Sequence, residues 1–199
     1  MISKLGIFLT SVLTVFQAHT GLDVTTPPPP PKPALSINSS YTAQSITLFD
    51  IETNELLTNK GGDKIVGIAS LTKIMTSYVA LKSLPEDTPI LISEDAILTS
   101  GSVGHFVEGE VFFLKDLIRA LMMFSSNDSA SAIAEAVGRS RGAVTYEDSM
   151  IIFVNLMNEE AKNLGMEHTT FANPTGLDDL YGRPSNYSTS EDMTRLIAA

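Results

Sequence analysis

Cysteine is absent from the chain, and this absence excludes several kinds of site at once. Without a thiol there is no disulfide, no thiolate nucleophile, no cysteine-ligated zinc and no lipidated cysteine. Histidine is scarce as well, because His19, His105 and His168 stand apart, without the spacing of a metal-binding set. We therefore expect no metal site built from cysteine or histidine.

Positive charge is also scarce, since 13 Lys and Arg stand against 23 Asp and Glu, for a net charge of -10. Phosphate binding needs clustered Lys and Arg, so this composition argues against a nucleic-acid partner and against a basic membrane-binding patch. With 199 residues, 43% of them hydrophobic, the chain is long enough for one globular domain with a sizeable core.

The N-terminal residues carry an apolar run, 5–16, directly behind Lys4. This run is too short for a comfortable membrane span and is typical of a signal-peptide core, so residues 1–20 are predicted to be a signal peptide. A retained N-terminal membrane anchor and a buried N-terminal helix are the alternatives. Residues 21–40 contain the polyproline stretch 27–33 and are predicted to form an extended linker. With either a signal peptide or an anchor, the protein is predicted to be exported, to the periplasm or to the cell envelope at the extracellular face of the membrane.

From residue 41 onward the pattern predicts a folded domain dominated by helices. Residues 45–50 and 54–58 are expected to form a β-hairpin. The remaining expected elements are helices at 70–84, 113–124, 127–137 (ended by Gly138) and 147–164 (ended by Gly165), an extended piece at 89–93, a capped turn at 93–97, and a capping box at 188–191 before a last helix. Met122, Met123 and Phe124 are expected to pack in the core. Residues 41–199 are thus predicted to form an α+β domain, with α/β as the alternative.

Ser70 and Lys73, in the segment S70-L-T-K73, would lie on the same face of the first helix. A lysine there could take the proton of the serine hydroxyl, provided that apolar neighbours and the helix N-terminus lower its pKa. Taken alone the pair is a weak signal, because Ser70 could simply cap the helix.

A second polar group, S125-S-N127, lies between two predicted helices. A hydroxyl and an amide two residues apart could face one cleft from this position. Here too the alternative is structural, because Ser125 or Asn127 could cap the helix that follows.

Together these segments resemble the active-site pattern of the serine-acylating, penicillin-binding enzymes. The chain is identified by this resemblance, over residues 41–199, as a member of the D-alanyl-D-alanine carboxypeptidase family of low-molecular-weight penicillin-binding proteins. Further segments that resemble the family, in family order, are G101-S-V-G104, V107-E-G-E110, L117-I-R-A-L-M-M-F-S-S-N-D-S-A130, F153-V-N-L-M-N158, A161-K-N-L-G-M166, T170-F-A-N-P-T-G-L-D178 and S188-T-S-E-D192.

The resemblance implies a penicillin-binding-protein or β-lactamase-like transpeptidase fold and a role for each site residue. Ser70 would be the nucleophile that forms an acyl-ester with a peptidoglycan stem peptide, and Lys73 its general base. Ser125 would relay a proton to the leaving amine, and Asn127 would bind the substrate amide and help to orient Lys73. The resemblance implies no metal and no organic cofactor, and it implies that β-lactams acylate Ser70 as inhibitors.

The chain departs from the family at its third motif, K-T-G or K-S-G, which is not present; K60-G-G62 precedes the nucleophile and lacks the hydroxyl. In the family this motif lies on a strand that would follow the segment ending at Ala199. We therefore expect the chain to be a fragment lacking later sheet strands, with a naturally short, inactive relative as the second choice. Its activity is expected to be poor.

Three other functions remain open at the level of sequence. A D,D-endopeptidase or a β-lactamase would use the same chemistry, although the deacylating Glu of a class A β-lactamase has no match. A non-catalytic cell-wall-binding homologue would keep the fold without the complete site. In the least specific interpretation, Ser70, Ser125 and Asn127 are only helix caps.

Overall fold

The computed structural model describes residues 41–53 and 55–199. The predicted signal peptide or anchor, 1–20, and the predicted linker, 21–40, lie outside the described residues. The elements follow one another as β1 Ile46–Asp50, β2 Glu55–Lys60, β3 Val66–Gly67, α1 Thr72–Ser83, β4 Pro89–Leu91, α2 Glu94–Ile97, β5 Val111–Phe113, α3 Leu114–Phe124, α4 Asn127–Ser140, α5 Tyr146–Asn163, β6 Tyr187–Ser188 and α6 Ser190–Ile197.

The predicted hairpin is confirmed, since β1 and β2 pair antiparallel from Ile46 opposite Lys60 to Asp50 opposite Glu55. Two further antiparallel pairs were not predicted. β3 pairs with β6, which is distant in sequence, and β4 pairs with β5. In the described part of the chain the strands thus form three separate two-stranded sheets among helices, an α+β arrangement.

Helix α4 is the centre of the domain, because its residues from Asn127 to Glu135 are all buried. Ala134 and Val137 on this helix belong to a core cluster that includes Phe153 and Met157 of α5. Ala132 and Ile133 belong to a second cluster with Leu117 of α3. The small alanines and serines of α4 allow neighbouring helices to approach closely from several sides. Among the described residues, no helix is long and apolar enough to cross a membrane.

Several predicted boundaries are wrong by one to three residues. Gly138 does not end α4, because a Cβ there would lie 2.3 Å from the Cα of Ser149, so the glycine serves close packing against α5. The cap of α6 is Thr189, whose hydroxyl accepts from the Asp192 N–H, and Ser188 belongs to β6.

The predicted core position of Met122, Met123 and Phe124 is also wrong, since all three side chains at the end of α3 are exposed. The predicted end of α5 is confirmed, because Gly165 follows the helix with a φ of 71°.

Candidate active site

Ser70 lies in a 3₁₀ turn, Ala69–Leu71, that leads directly into α1. The preceding Ala69 has a φ of 43°, a value that non-glycine residues rarely adopt. Neither the turn nor α1 has a side-chain cap, so the expectation that Ser70 caps the helix is wrong. The turn leaves Ser70 exposed, together with its neighbours Ala69 and Leu71, directly before the buried first residues of α1.

Lys73 meets Ser70 as the spacing predicts, with 3.1 Å between Nζ and the Ser70 Oγ. The Lys73 Nζ also donates to the carbonyl oxygen of Thr175, at 2.6 Å. The lysine is only 2% exposed, and its burial lowers its pKa from 10.5 to about 8. Desolvation disfavours the ammonium form, so a substantial part of Lys73 is a neutral amine in mildly alkaline solution.

This geometry allows the neutral amine to act as a base. When Lys73 donates an N–H to the Thr175 carbonyl, its lone pair is left to accept the proton of the Ser70 hydroxyl. A buried amine within hydrogen-bond distance of an exposed hydroxyl is the arrangement that nucleophile activation requires.

The loop that carries Thr175 is held by its own side chains. Asn173 Oδ1 accepts from the Thr175 N–H, the Thr175 hydroxyl and the Gly176 N–H, at 2.7–3.2 Å. The hydroxyl of Thr76, on α1, donates to the Pro174 carbonyl at 2.6 Å.

Gly176 lies directly against the nucleophile turn. A Cβ on this glycine would come within 2.0 Å of the Ala69 carbonyl oxygen, so no side chain can be accommodated there. Sequence reasoning used the loop only for family resemblance. It missed the carbonyl of Thr175, because any residue supplies a backbone carbonyl and its role leaves no mark in the sequence.

Ser125 joins Ser70 and Lys73 in one cleft of about 430 Å³. It follows α3 with a φ of 57° and a ψ of 34°, a left-handed conformation that turns the chain sharply before α4. Its side chain is exposed to the cleft, and the helix cap is instead the neighbouring Ser126, which accepts from the Ser129 N–H. The other lining residues are apolar: Ile68, Ala69, Leu71, Ile74, Leu121 and Met122.

Asn127, the fourth predicted site residue, begins α4 and is not among the residues that line this cleft. Its Nδ2 donates to the carbonyls of Ser100 and Gly101, at 2.9 and 3.3 Å. The structure therefore gives Asn127 a role in holding the 100–101 turn. The hydrogen bonds of Lys73 Nζ are with Ser70 and Thr175. The contact of Asn127 with a substrate amide and its part in orienting Lys73 stay predictions.

Beneath this turn, the buried carboxylate of Asp128 accepts from the N–H of Gly104 and from the hydroxyl of Ser126. In residues 41–53 and 55–199, no three His, Cys, Asp or Glu side chains are grouped so that they could hold a metal ion.

The sequence and the fold of this chain were compared with those of known proteins. A family model for D-alanyl-D-alanine carboxypeptidase matches residues 31–199. A D-alanyl-D-alanine endopeptidase of Pseudomonas aeruginosa is 32% identical over 194 residues, covering 96% of this chain and 58% of the relative. The chain thus spans little more than half the length of this relative.

Two crystal structures are similar in fold. The D-alanyl-D-alanine carboxypeptidase DacD from Francisella tularensis superposes with a TM-score of 0.68 at 35% identity, over 81% of this chain and 37% of that one. A penicillin-binding protein of Listeria monocytogenes in its ampicillin-bound form gives a TM-score of 0.65 at 27% identity, over 82% and 63%. The fold predicted from sequence is thereby confirmed, and the chain belongs to the D-alanyl-D-alanine carboxypeptidase family.

Proposed function

We propose that this chain carries the nucleophile and the general base of a serine-type D-Ala-D-Ala carboxypeptidase, which removes the terminal D-alanine from peptidoglycan stem peptides. The observation that carries this proposal is the buried Lys73 Nζ at 3.1 Å from the exposed Ser70 Oγ. The family match over residues 31–199 supports the substrate class.

In the proposed reaction Lys73 takes the hydroxyl proton of Ser70 while Oγ attacks the carbonyl carbon of the penultimate D-alanine. The C–N bond to the terminal D-alanine then breaks, and the leaving nitrogen receives a proton by way of Ser125. Water hydrolyses the acyl-ester and restores the Ser70 hydroxyl. The Ser70 N–H is expected to be one donor to the developing oxyanion, and Asn127 is proposed to bind the substrate amide.

β-Lactams are proposed to acylate the same hydroxyl, and the ampicillin-bound relative supports this.

Incubation of the 199-residue chain with a fluorescent penicillin should give a slow covalent adduct, located at Ser70 by mass spectrometry of the peptides. Labelling is expected to be slow because the K-T-G or K-S-G motif is not in this sequence. Ser70→Ala should abolish the adduct. No adduct on the native chain, or an adduct that survives in Ser70→Ala, would contradict the proposal and favour a non-catalytic cell-wall-binding homologue.

A D,D-endopeptidase that cuts peptide cross-links is the second candidate, and the similarity to the P. aeruginosa endopeptidase over 96% of this chain favours it. Both activities use the same acyl-enzyme and differ only in the group that leaves. Product analysis on a defined cross-linked dimer and on a monomeric pentapeptide separates them. Release of free D-alanine from the monomer supports the carboxypeptidase, and conversion of the dimer to monomers supports the endopeptidase.

We also propose that the protein is exported and acts in the cell envelope, where it would contribute to peptidoglycan maturation and cell shape. The apolar run 5–16 behind Lys4 supports this, since it has the form of a signal-peptide core or an N-terminal anchor. Residues 1–40 fused to alkaline phosphatase should give an enzyme that is active outside the cytoplasm. An inactive fusion would argue against export.

A further inference from the structure

We infer that Asn186 is a positioning residue for Ser70 acylation: its buried side-chain amide braces the nucleophile segment against the loop that presents the Thr175 carbonyl to Lys73. This inference rests on the proposed function. Asn186 does not line the cleft and is 2% exposed, so it acts through other residues.

The first contact of Asn186 is with the segment that carries the nucleophile. Its Nδ2 donates to the hydroxyl of Thr72, at 2.8 Å. Thr72 lies between Ser70 and Lys73 in sequence and is fully buried. The backbone carbonyl of Asn186 also accepts from the N–H of Ile68, at 3.2 Å. Asn186 is therefore hydrogen-bonded to Ile68, before Ser70 in the sequence, and to Thr72, after it.

The second contact is with the loop that carries Thr175. Asn186 Oδ1 accepts from the N–H groups of Ala172 and Asn173, at 2.7 and 3.2 Å, and Nδ2 donates to the Asn173 carbonyl at 2.9 Å. Asn173 in turn holds Thr175 and Gly176 through its own Oδ1. The position of the Thr175 carbonyl is thus fixed through a short chain of hydrogen bonds that begins at Asn186.

These contacts also fix the orientation of the Asn186 amide. Two backbone N–H groups face the oxygen, while a carbonyl and a hydroxyl oxygen face the nitrogen. Rotation of the amide by 180° would set donor against donor, so a single arrangement satisfies the site. Asn186 is 2% exposed, and water cannot readily replace the lost partners.

The brace matters because Lys73 is a useful base only while it stays buried and bonded to Thr175. If the loop moves away, water reaches the Nζ, the desolvation that lowers the pKa of Lys73 to about 8 is reduced, and the ammonium form persists to higher pH. The amine also loses the Thr175 carbonyl that accepts its N–H and so directs its lone pair toward Ser70. Loss of the brace should therefore change the pH dependence of acylation and not only its rate.

The test compares three variants with one matched control in the 199-residue chain. Asn186→Ala removes the amide, and Asn186→Asp keeps its size and both acceptor contacts but removes the donated hydrogen bonds. Asn186→Asp also adds a carboxyl, whose negative charge by itself raises the pKa of Lys73, so the uncharged Asn186→Ala and Thr72→Val decide the test. Thr72→Val removes only the bond between Asn186 and the nucleophile segment. The control is Asn158→Ala, because Asn158 also braces the backbone of Phe171 by its amide but has no bond to the nucleophile segment.

Two measurements are made on each protein: the pH profile of Ser70 acylation by a fluorescent penicillin, and the titration of the Lys73 Cε signal by NMR. We expect the native midpoint near pH 8 in both. Asn186→Ala and Asn186→Asp should raise it by about one pH unit or more, which is a roughly tenfold loss of acylation at pH 7. Thr72→Val should raise it less, and Asn158→Ala should leave it unchanged even if its melting temperature falls.

An unchanged midpoint in folded Asn186→Ala and Thr72→Val would overturn the inference and leave Asn186 a purely structural residue. An equal shift in Asn158→Ala would overturn it as well. If the native chain forms no penicillin adduct, the proposed function fails by itself, and the NMR titration of Lys73 still decides whether Asn186 controls the lysine.

Discussion

The burial that makes Lys73 a useful base also lowers the stability of the folded protein. In the folded chain its pKa is lowered by burial to about 8, while an unfolded chain would return it to 10.5. Between about pH 8 and pH 10.5 the unfolded state therefore holds a proton that the folded state has released. The free energy of unfolding should rise as the pH increases from about 8 to about 10.5, because the folded state no longer has to hold a buried ammonium.

Lys73→Met should show this effect directly. The variant keeps a flexible apolar side chain of similar length but leaves the Thr175 carbonyl without its partner. We expect it to be more stable than the native protein by about 2 kcal/mol at pH 7, and the difference should shrink as the pH approaches 10.5. Urea unfolding at several pH values measures it. Lys82→Met, at an exposed ion pair with Glu160, is the control and should show no such gain. A pH-independent difference would contradict this account.

Gly176 makes the close contact that brings the loop against the nucleophile turn. A Cβ at this position would lie 2.0 Å from the Ala69 carbonyl oxygen, and the φ of 86° already disfavours an L side chain. Gly176→Ala should therefore destabilise the chain by about 3 kcal/mol and abolish acylation. Gly182→Ala separates the two causes, because its φ is 71° but nothing lies within 4 Å of a Cβ there. That control should lose only about 1 kcal/mol and keep its reactivity. Equal effects in both would show that backbone strain, and not the contact, is responsible.

At the scale of elements, the turn between α3 and α4 depends on Asp128. This carboxylate is 1% exposed and accepts from the N–H of Gly104, the hydroxyl of Ser126 and the N–H of Ser129. It therefore ties the start of α4 to the loop that Asn127 also holds. No positive side chain contacts it within hydrogen-bond distance in the described residues, so it is stabilised by neutral donors and by the helix N-terminus.

Asp128→Asn should weaken this turn, because the introduced amide nitrogen cannot accept a hydrogen bond. We expect a loss of about 2 kcal/mol and faster hydrogen exchange at Gly104. Exchange followed by NMR, with urea unfolding alongside, measures both. Asp116→Asn, in the exposed ion pair with Arg119, should change neither. Unchanged protection at Gly104 would show that Asp128 does not hold the loop.

The same turn shows what the sequence could predict and what it could not. The helices on both sides were predicted from apolar periodicity, and Ser125 was predicted to face a cleft, which it lines. In S-S-N-D, however, several adjacent residues are good caps, and periodicity does not say which one meets the free N–H groups. Ser126 caps the helix because Ser125 is left-handed. Gly138 was predicted to end its helix because glycine often follows the last residue of a helix. Its actual role, close contact with Ser149, depends on how α4 and α5 pack, which the sequence pattern does not show.

At the scale of the whole molecule, the unpredicted features are those that join distant segments. Thr175 and Asn186 reach Lys73 and Thr72 across about a hundred residues of chain, through backbone carbonyls and one amide. The pairing of β3 with β6 brings these segments together, and strands of two residues give no periodic signal. The order of the family segments along the sequence predicted the fold. The hydrogen bonds that position Lys73 join residues far apart in the sequence and could be seen only in the structure.

Helix α4 also determines how the domain should unfold. Because it contributes side chains to both core clusters, the two clusters should unfold together in one transition. Met157 lies in the first cluster and Leu117 in the second, and both are fully buried. Met157→Ala and Leu117→Ala should each lower the stability by about 3 kcal/mol and shift one and the same unfolding transition.

Calorimetry and urea unfolding, followed both by far-UV circular dichroism and by tyrosine fluorescence, measure this cooperativity. Coincident single transitions are expected in the native chain and in both variants, with additive losses in the double variant, since the two sites lie in different clusters. Leu180→Ala, at a fully exposed position, should leave the transition unchanged. Two separated transitions in either variant would mean that α4 does not couple the clusters. The cleft, which takes Lys73 from one side of α1 and Ser125 from the turn before α4, would then be able to open without global unfolding.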